Sequence, residues 1–440
     1  MKRFRTVLFW CHLALGVTAG LTILVMSVTG ALLAFQPQIL AVLERQVRRV
    51  PVKEPGLARV RIDTMVAAAA RYKPDALPTG LTLESGADRA AAIAFGRDGT
   101  VYVDPYTGKV LGEGASRARA TFQAMTEWHR WLGQDGPWRS TARAITGASN
   151  FAFLGLAVSG LYLWWPRKWS RSRVKAVTMF DGQARGKARD FNWHNVIGFW
   201  CAPVLIVLTA TAVVMSYPWA NDLLYRLAGS TPPSAAAAGG PGGAPGGGRG
   251  GRQARGDRDG EQSRGPRSES ETPAARQPFL AAENLDLLWT RAEAQMPTWG
   301  SIAMRIAPRP GSNVSFTLTD AAHWNRFARS QLTLDAVTGA VVRWEPYVDT
   351  SLGQKARGWV RFGHTGELAG WPGQLVAGIA CVGGSFLVWT GLSLALRRLV
   401  GWRVWKGWVA GADLGTATRR AAGLRETTLE ERRYEQEGVR

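Results

Sequence analysis

Four stretches of the chain lose nearly all their polar residues for about the length of a bilayer crossing: 7–35, 141–165 (apolar from 145), 191–217 and 371–396. Each supplies about the 20 apolar residues that a ~30 Å hydrocarbon core requires. Ser149 and Asn150 interrupt the start of the second. Lys2, Arg3 and Arg5 before the first resemble the start of a secretion signal. The apolar run that follows is much longer than the roughly 7–15 residues of such a signal, which predicts an uncleaved anchor.

Between the spans the pattern changes to short alternating runs. Val101-Tyr102-Val103, a turn at Asp104-Pro105-Tyr106-Thr107-Gly108 and Lys109-Val110-Leu111 predict a hairpin. Asp opens such a turn, and Gly supplies the positive φ that closes it. The pattern recurs at 331–342, around Asp335-Ala336-Val337-Thr338-Gly339. Helical periodicity precedes each hairpin, at about 63–72 and 283–295. Small α+β modules are expected in both inter-span segments. Residues 231–279 are of another kind, rich in Gly, Pro, Ala and Ser with scattered Arg, and predict a disordered linker.

Charge sets the orientation. Lys2, Arg3 and Arg5 precede the first span; Arg167, Lys168, Arg171, Arg173, Lys175, Arg185, Lys187 and Arg189 lie between the second and third; Arg397, Arg398, Arg403 and Lys406 follow the fourth. With four spans these segments share one side, and the positive-inside rule makes it the cytoplasm. The net charge of +21 is thereby explained in large part without nucleic acid. The predicted organisation is a cytoplasmic N-terminus and first span (1–35), an extracytoplasmic domain (36–140), the second span (141–165), a basic cytoplasmic loop (166–190), the third span (191–217), a second extracytoplasmic domain with the linker (218–370), the fourth span (371–396) and a cytoplasmic tail (397–440). The three Cys of the 440 residues all lie in apolar runs, which argues against a disulfide framework and against a Cys-based metal site.

The halves repeat each other. His12 with Gly16 in the first span matches His194 with Gly198 in the third. His129 precedes the second span as His364 precedes the fourth, and Ser159-Gly160-Leu161 matches Thr390-Gly391-Leu392. Four of the five His therefore stand at duplicated places, two at each end of a bundle. An ionisable group in or near hydrocarbon is costly and marks a functional candidate. Zinc wants more ligands than two imidazoles, and no Cys or carboxylate cluster supplies them; two neutral imidazoles suit haem iron as axial ligands. Gly16 and Gly198, one turn after their His, either admit a flat porphyrin or serve helix packing. Two sites so placed are expected to differ in level by about half the ~30 Å core. His323 has no duplicate and is expected to be an ordinary hydrogen-bonded residue.

These features, with Gly160-Leu161-Tyr162-Leu163-Trp164-Trp165-Pro166-Arg167, His364-Thr365-Gly366 and Gly370-Trp371-Pro372-Gly373-Gln374, resemble the PepSY-associated transmembrane helix family over nearly the whole chain. The resemblance implies an α-helical four-span membrane protein built from two span–domain–span units with extracytoplasmic α+β PepSY-like domains. The family includes inner-membrane ferrisiderophore reductases of the FoxB type. By that resemblance His12, His194, His129 and His364 are axial ligands of two haem b groups. The implied activity passes electrons from a cytoplasmic donor to a ferric chelate such as a ferric siderophore outside, in a bacterial inner membrane. No Gly-x-Gly-x-x-Gly motif follows a strand, so the donor is expected to be another molecule, a reductase or a quinol. Other readings of the same features are a non-enzymatic PepSY membrane protein that binds a peptidase or senses a ligand, and a haem or metal permease.

Overall fold

The computed structural model describes residues 2–51, 57–165, 170–232, 284–306, 313–323, 325 and 327–399. Nearly all of the 231–279 linker, the Pro166-Arg167 step and the tail from residue 400 lie outside these residues. The chain divides into two compact units: a membrane unit (Met1–Ala34, Met125–Ser216 and Phe362–Arg440) and a sheet unit (Phe35–Ala124 and Tyr217–Arg361).

Among the described residues four helices are long and apolar enough to cross a membrane. The first span is Lys2–Ala34, the second Arg139–Trp164, the third Gly186–Ser216 and the fourth Glu367–Leu399. The third begins before its apolar run, so Lys187, Arg189 and Asp190 of the predicted basic loop are helical, and a short helix, Arg171–Thr178, occupies part of the rest. Large apolar side chains such as Val7, Leu21, Trp200 and Ile379 point outward, as a lipid-facing surface requires. The interior is small and close-packed: Leu205, Leu208, Ala377 and Ala380 meet Phe153, Ala157, Cys201 and Leu387. Asn150, which interrupts the apolar pattern, is buried there, and its amide donates to the Thr209 carbonyl at 3.0 Å. A polar group in such a bundle faces inward to find a partner.

The sheet unit holds one antiparallel sheet of eight strands: β1 (Gly80–Glu84), β2 (Ala91–Ala94), β3 (Thr100–Val103), β4 (Val110–Glu113), β5 (Trp299–Arg305), β6 (Val314–Asp320), β7 (Ser330–Leu334) and β8 (Val341–Glu345). Their order is β4-β3-β2-β1-β5-β6-β7-β8. The two expected modules are therefore the two halves of a single sheet, joined where β1 runs antiparallel to β5 from Gly80↔Arg305 to Glu84↔Ser301. Each four-stranded meander alone leaves its first strand as an open edge of unpaired N–H and C=O groups; pairing the two first strands removes both edges. Alternation puts Leu81, Leu83, Ile302, Met304, Phe316, Leu318 and Leu332 on one face. Helices Ile62–Tyr72 and Leu285–Gln295 supply Met65, Ala69, Leu288 and Ala292 to the same core. Asp286 of the second helix accepts from the Ile62 N–H that opens the first, so the second half also caps the first.

Both predicted hairpins form, between β3 and β4 and between β7 and β8. Asp104 Oδ1 accepts from the Tyr106 N–H at 2.8 Å, and Asp335 Oδ1 from those of Val337 and Thr338 at 3.0 and 2.8 Å. Gly108 (φ 70°) and Gly339 (φ 68°) take the left-handed conformation that closes each turn.

Candidate functional site

The membrane unit gathers the four duplicated histidines into two facing pairs. His12 on the first span and His194 on the third have ring centroids 6.5 Å apart, their planes at 84°. His129 and His364 have centroids 6.4 Å apart, their planes at 54°.

Each ring is held by a hydroxyl from its own half of the chain. His12 Nδ1 lies 2.8 Å from Ser159 Oγ on the second span, and His194 Nδ1 2.9 Å from Thr390 Oγ1 on the fourth. His129 Nδ1 lies 3.0 Å from Thr29 Oγ1 on the first span, and His364 Nδ1 3.2 Å from Thr211 Oγ1 on the third. A hydroxyl has one hydrogen. Thr390 gives it to the Phe386 carbonyl, Thr29 to that of Val25 and Thr211 to that of Val207, each at 2.7 Å, and Ser159 gives it to that of Leu156 at 3.3 Å. For the three threonines the carbonyl contact is the shorter one, which favours an accepting hydroxyl oxygen and a donating ring Nδ1. His364 Nδ1 also reaches the Leu208 carbonyl at 2.9 Å, which only accepts. The carbonyl fixes the His364 proton on Nδ1 and keeps its Nε2 lone pair available, the tautomer a metal ligand needs.

The second pair depends on two chain reversals. Helix Ser116–Trp131 carries His129 and stops at Leu132 (φ 53°) and Gly133 (φ 68°). A short 3-10 turn, Gly136–Trp138, then leads into the second span, and Thr146 Oγ1 donates to the Arg130 carbonyl at 2.8 Å across the fold-back. Helix Leu352–His364 ends the same way at Gly366 (φ 74°), where a Cβ would stand 2.6 Å from the Gly373 carbonyl oxygen. His129 precedes Ser159 by 30 residues whereas His364 precedes Thr390 by 26; the longer first turn absorbs the difference.

The separation of the two levels exceeds the half-core expected from sequence. Thr29 lies 17 residues after His12, and Thr211 17 after His194. At 1.5 Å per residue that is about 25 Å of helix, most of a hydrocarbon core.

Gly16 and Gly198 stand where helix packing puts small residues. A Cβ on Gly16 would meet Leu156 at 3.9 Å and one on Gly198 would meet Leu387 at 3.6 Å, so both face leucines of neighbouring spans. The glycines against the rings are Gly160, Gly391 and Gly30, where a Cβ would stand 3.3, 3.4 and 3.3 Å from Cε1 of His12, His194 and His129. The repeated hydroxyl-Gly-Leu step was the sequence signal for the first two, since it places the ring's partner and its gap side by side. His323 lies in the sheet unit, where its Nδ1 accepts from the Asn325 N–H at 3.0 Å. Among tryptophans near the duplicated His, Trp128, Trp138, Trp359 and Trp371 are exposed, whereas Trp131 is buried beneath the guanidiniums of Arg130 and Arg139.

The profile of the PepSY-associated TM region matches residues 9–398. The chain belongs to this family. A search of curated proteins finds no match to it. Membership accounts for the four spans and the α+β sheet unit together.

Two imidazoles bonded to opposite sides of one metal ion, at ~2.0 Å per bond, put their ring centroids about 6.3 Å apart. Both observed separations have that value to within a few tenths of an ångström. No group of three or more His, Cys, Asp or Glu side chains that suits a metal ion is gathered among the described residues. An ion held by either pair must therefore bring its remaining donors with it.

Proposed function

We propose that the chain is a di-haem b membrane protein that passes electrons from a donor on the cytoplasmic side, a reductase or a quinol, to a ferric chelate outside. A ferric siderophore is the chelate class, and the bacterial inner membrane the location. The observation that carries this reading is the pair of ring-to-ring spacings, 6.5 and 6.4 Å, each with both Nδ1 atoms engaged. A porphyrin would bring the further nitrogen donors that such a two-donor site lacks, and the bare backbone at Gly160, Gly391 and Gly30 lets the imidazoles that would hold it lie close against the spans. Haem bound there supplies reversible one-electron chemistry at iron.

The protein's own part is positional. The hydroxyls hold each ring by its Nδ1, and each ring faces the matching ring of the other half. The apolar spans keep water from the rings, and the 17-residue spacing puts one pair near each face of the bilayer. The basic flanks around Arg5, Lys175 and Arg397 support cytoplasmic termini, with His12 and His194 on the donor side. One electron accepted by the chelate turns Fe(III) into Fe(II). The softer, less charged ion is held less firmly by hard oxygen ligands, and it leaves.

Haem per chain in the purified protein tests the reading. Two low-spin b-type haems are expected, reducible from one side of a vesicle and oxidised by a ferric chelate on the other. His12→Ala and His194→Ala should remove one and the same haem, His129→Ala and His364→Ala the other, and His323→Ala neither. A colourless protein, or four variants that all keep both haems, would sink the proposal in favour of a binding or sensing role.

A further inference from the structure

One buried charge in the membrane unit has no part in the pairs just described. Asp190, near the start of the third span, is 1% exposed. Ser393 Oγ of the fourth span donates to its Oδ2 at 2.7 Å, and Arg397 Nη2 lies 3.4 Å from the same oxygen. Arg189 reaches Oδ1 with Nη2 at 2.9 Å and Nε at 3.1 Å. Arg397 Nε also donates to Ser393 Oγ at 3.4 Å.

The spacing ties this cluster to the first His pair. Asp190 and His194 are four residues apart on the third span and share a face; Thr390 and Ser393 are three apart on the fourth and share another. The spans thus meet through two successive rungs, Asp190 to Ser393 and His194 to Thr390. A small slide or rotation of either helix breaks both. The first half lacks this device. The residues in register with Asp190 and Ser393 are Leu8 and Tyr162. There Phe4 packs edge-on against Tyr162, and Arg5 donates to the carbonyls of Leu163 and Trp165. Repeat architecture therefore closes without a carboxylate, and one buried charge has been added only beside His194. Burying a carboxylate is costly unless it is paired, as it is here.

We propose that Asp190 is a positioning residue for His194: through Ser393 and Arg397 it fixes the register of the fourth span, and so the Thr390 oxygen that orients the imidazole. The inference rests on the di-haem reading. It predicts an effect confined to one of the two groups.

The test is low-temperature electron paramagnetic resonance and haem retention on the full-length chain. The two pairs differ in mutual ring angle, 84° against 54°, so two distinct low-spin signals are expected. Asp190→Ala should shift the signal that His12→Ala removes and weaken retention of that haem about tenfold, the usual scale for loss of a ligand's supporting partner. The other signal should not move. Asp190→Asn, which keeps an acceptor for Ser393, should restore most of the native signal. Ser393→Ala, which removes a donor without stranding a charge, should reproduce the shift in a milder form. Native signals for both haems in Asp190→Ala would overturn the proposal. So would equal loss of both haems in that variant with Ser393→Ala unchanged, since that pattern marks a general folding defect. A wild-type chain without haem overturns the di-haem reading and this inference with it, and is told apart because the wild type itself then carries no signal.

Discussion

At the scale of single residues, the two ends of each imidazole are governed by different neighbours. The Nδ1 side is set by a hydroxyl, and the Cε1 side by the absence of a side chain at Gly160 or Gly391. A Cβ at either glycine falls 3.3 or 3.4 Å from the ring, closer than side chains ordinarily pack. Larger groups force the imidazole off its hydroxyl. Gly160→Val should therefore lower occupancy of the haem proposed for His12 and His194 while leaving the one proposed for His129 and His364 intact. Haem per chain, read beside the yield of folded protein in detergent, checks this; full retention of both haems would show that the gap is not needed. The four His and the hydroxyl-Gly-Leu repeat were legible in the sequence. That Gly160 rather than Gly16 meets His12 was not, because it depends on how the second span is rotated against the first.

At the scale of elements, helix Ser116–Trp131 is anchored at its start by a carboxylate from an earlier part of the chain. Glu44 is buried, and its oxygens accept from Arg119 Nη2 at 2.7 Å, the Ala115 N–H at 3.0 Å and the Tyr102 hydroxyl at 3.1 Å, with Arg48 Nε at 2.9 Å. Burial by itself pushes this carboxyl up. The Arg119 hydrogen bonds and charge, the Ala115 N–H and the Arg48 charge outweigh it and hold the group below the usual glutamate range. A group lowered in the folded state stabilises the fold above its unfolded value and loses that contribution as pH falls through the folded one. The sheet unit should accordingly lose stability on acidification below about pH 4, near the ordinary glutamate value. Glu44→Gln should flatten that acid limb. Glu44→Ala, which strands Arg119, should cost roughly 3–5 kcal/mol. Thermal melts of the full chain across pH provide the measurement, and an acid limb unchanged in Glu44→Gln would refute the assignment. Local pattern could not reveal this node, since Glu44 and Arg119 are 75 residues apart and nothing periodic links them.

At the scale of the whole molecule, duplication explains why each histidine takes its hydroxyl from its own half yet faces a histidine of the other. One half orients a ring; two halves are needed to offer two rings to one ion. The proposed topology follows from the basic flanks. Reporter fusions at residue 120 should read extracytoplasmic and at residue 175 cytoplasmic. The opposite result at 175 would put His12 and His194 on the side of the proposed ferric chelate and reverse the proposed direction of electron flow.

The sequence by itself determined the elements whose causes are local. Apolar run length fixed four spans, alternation and Asp-x-x-Thr-Gly turns fixed two hairpins, and internal repetition singled out four of five histidines. Tertiary structure alone decided what depends on distant partners. β1 pairs with β5, making one sheet and one core of two modules, because two open edges are satisfied together. The rotation of the spans chose Ser159, Thr390, Thr29 and Thr211 as ring partners and exposed the Asp190–Ser393 rung. Helix packing sets such rotations through the shapes of two surfaces at once, and no single stretch of sequence carries both.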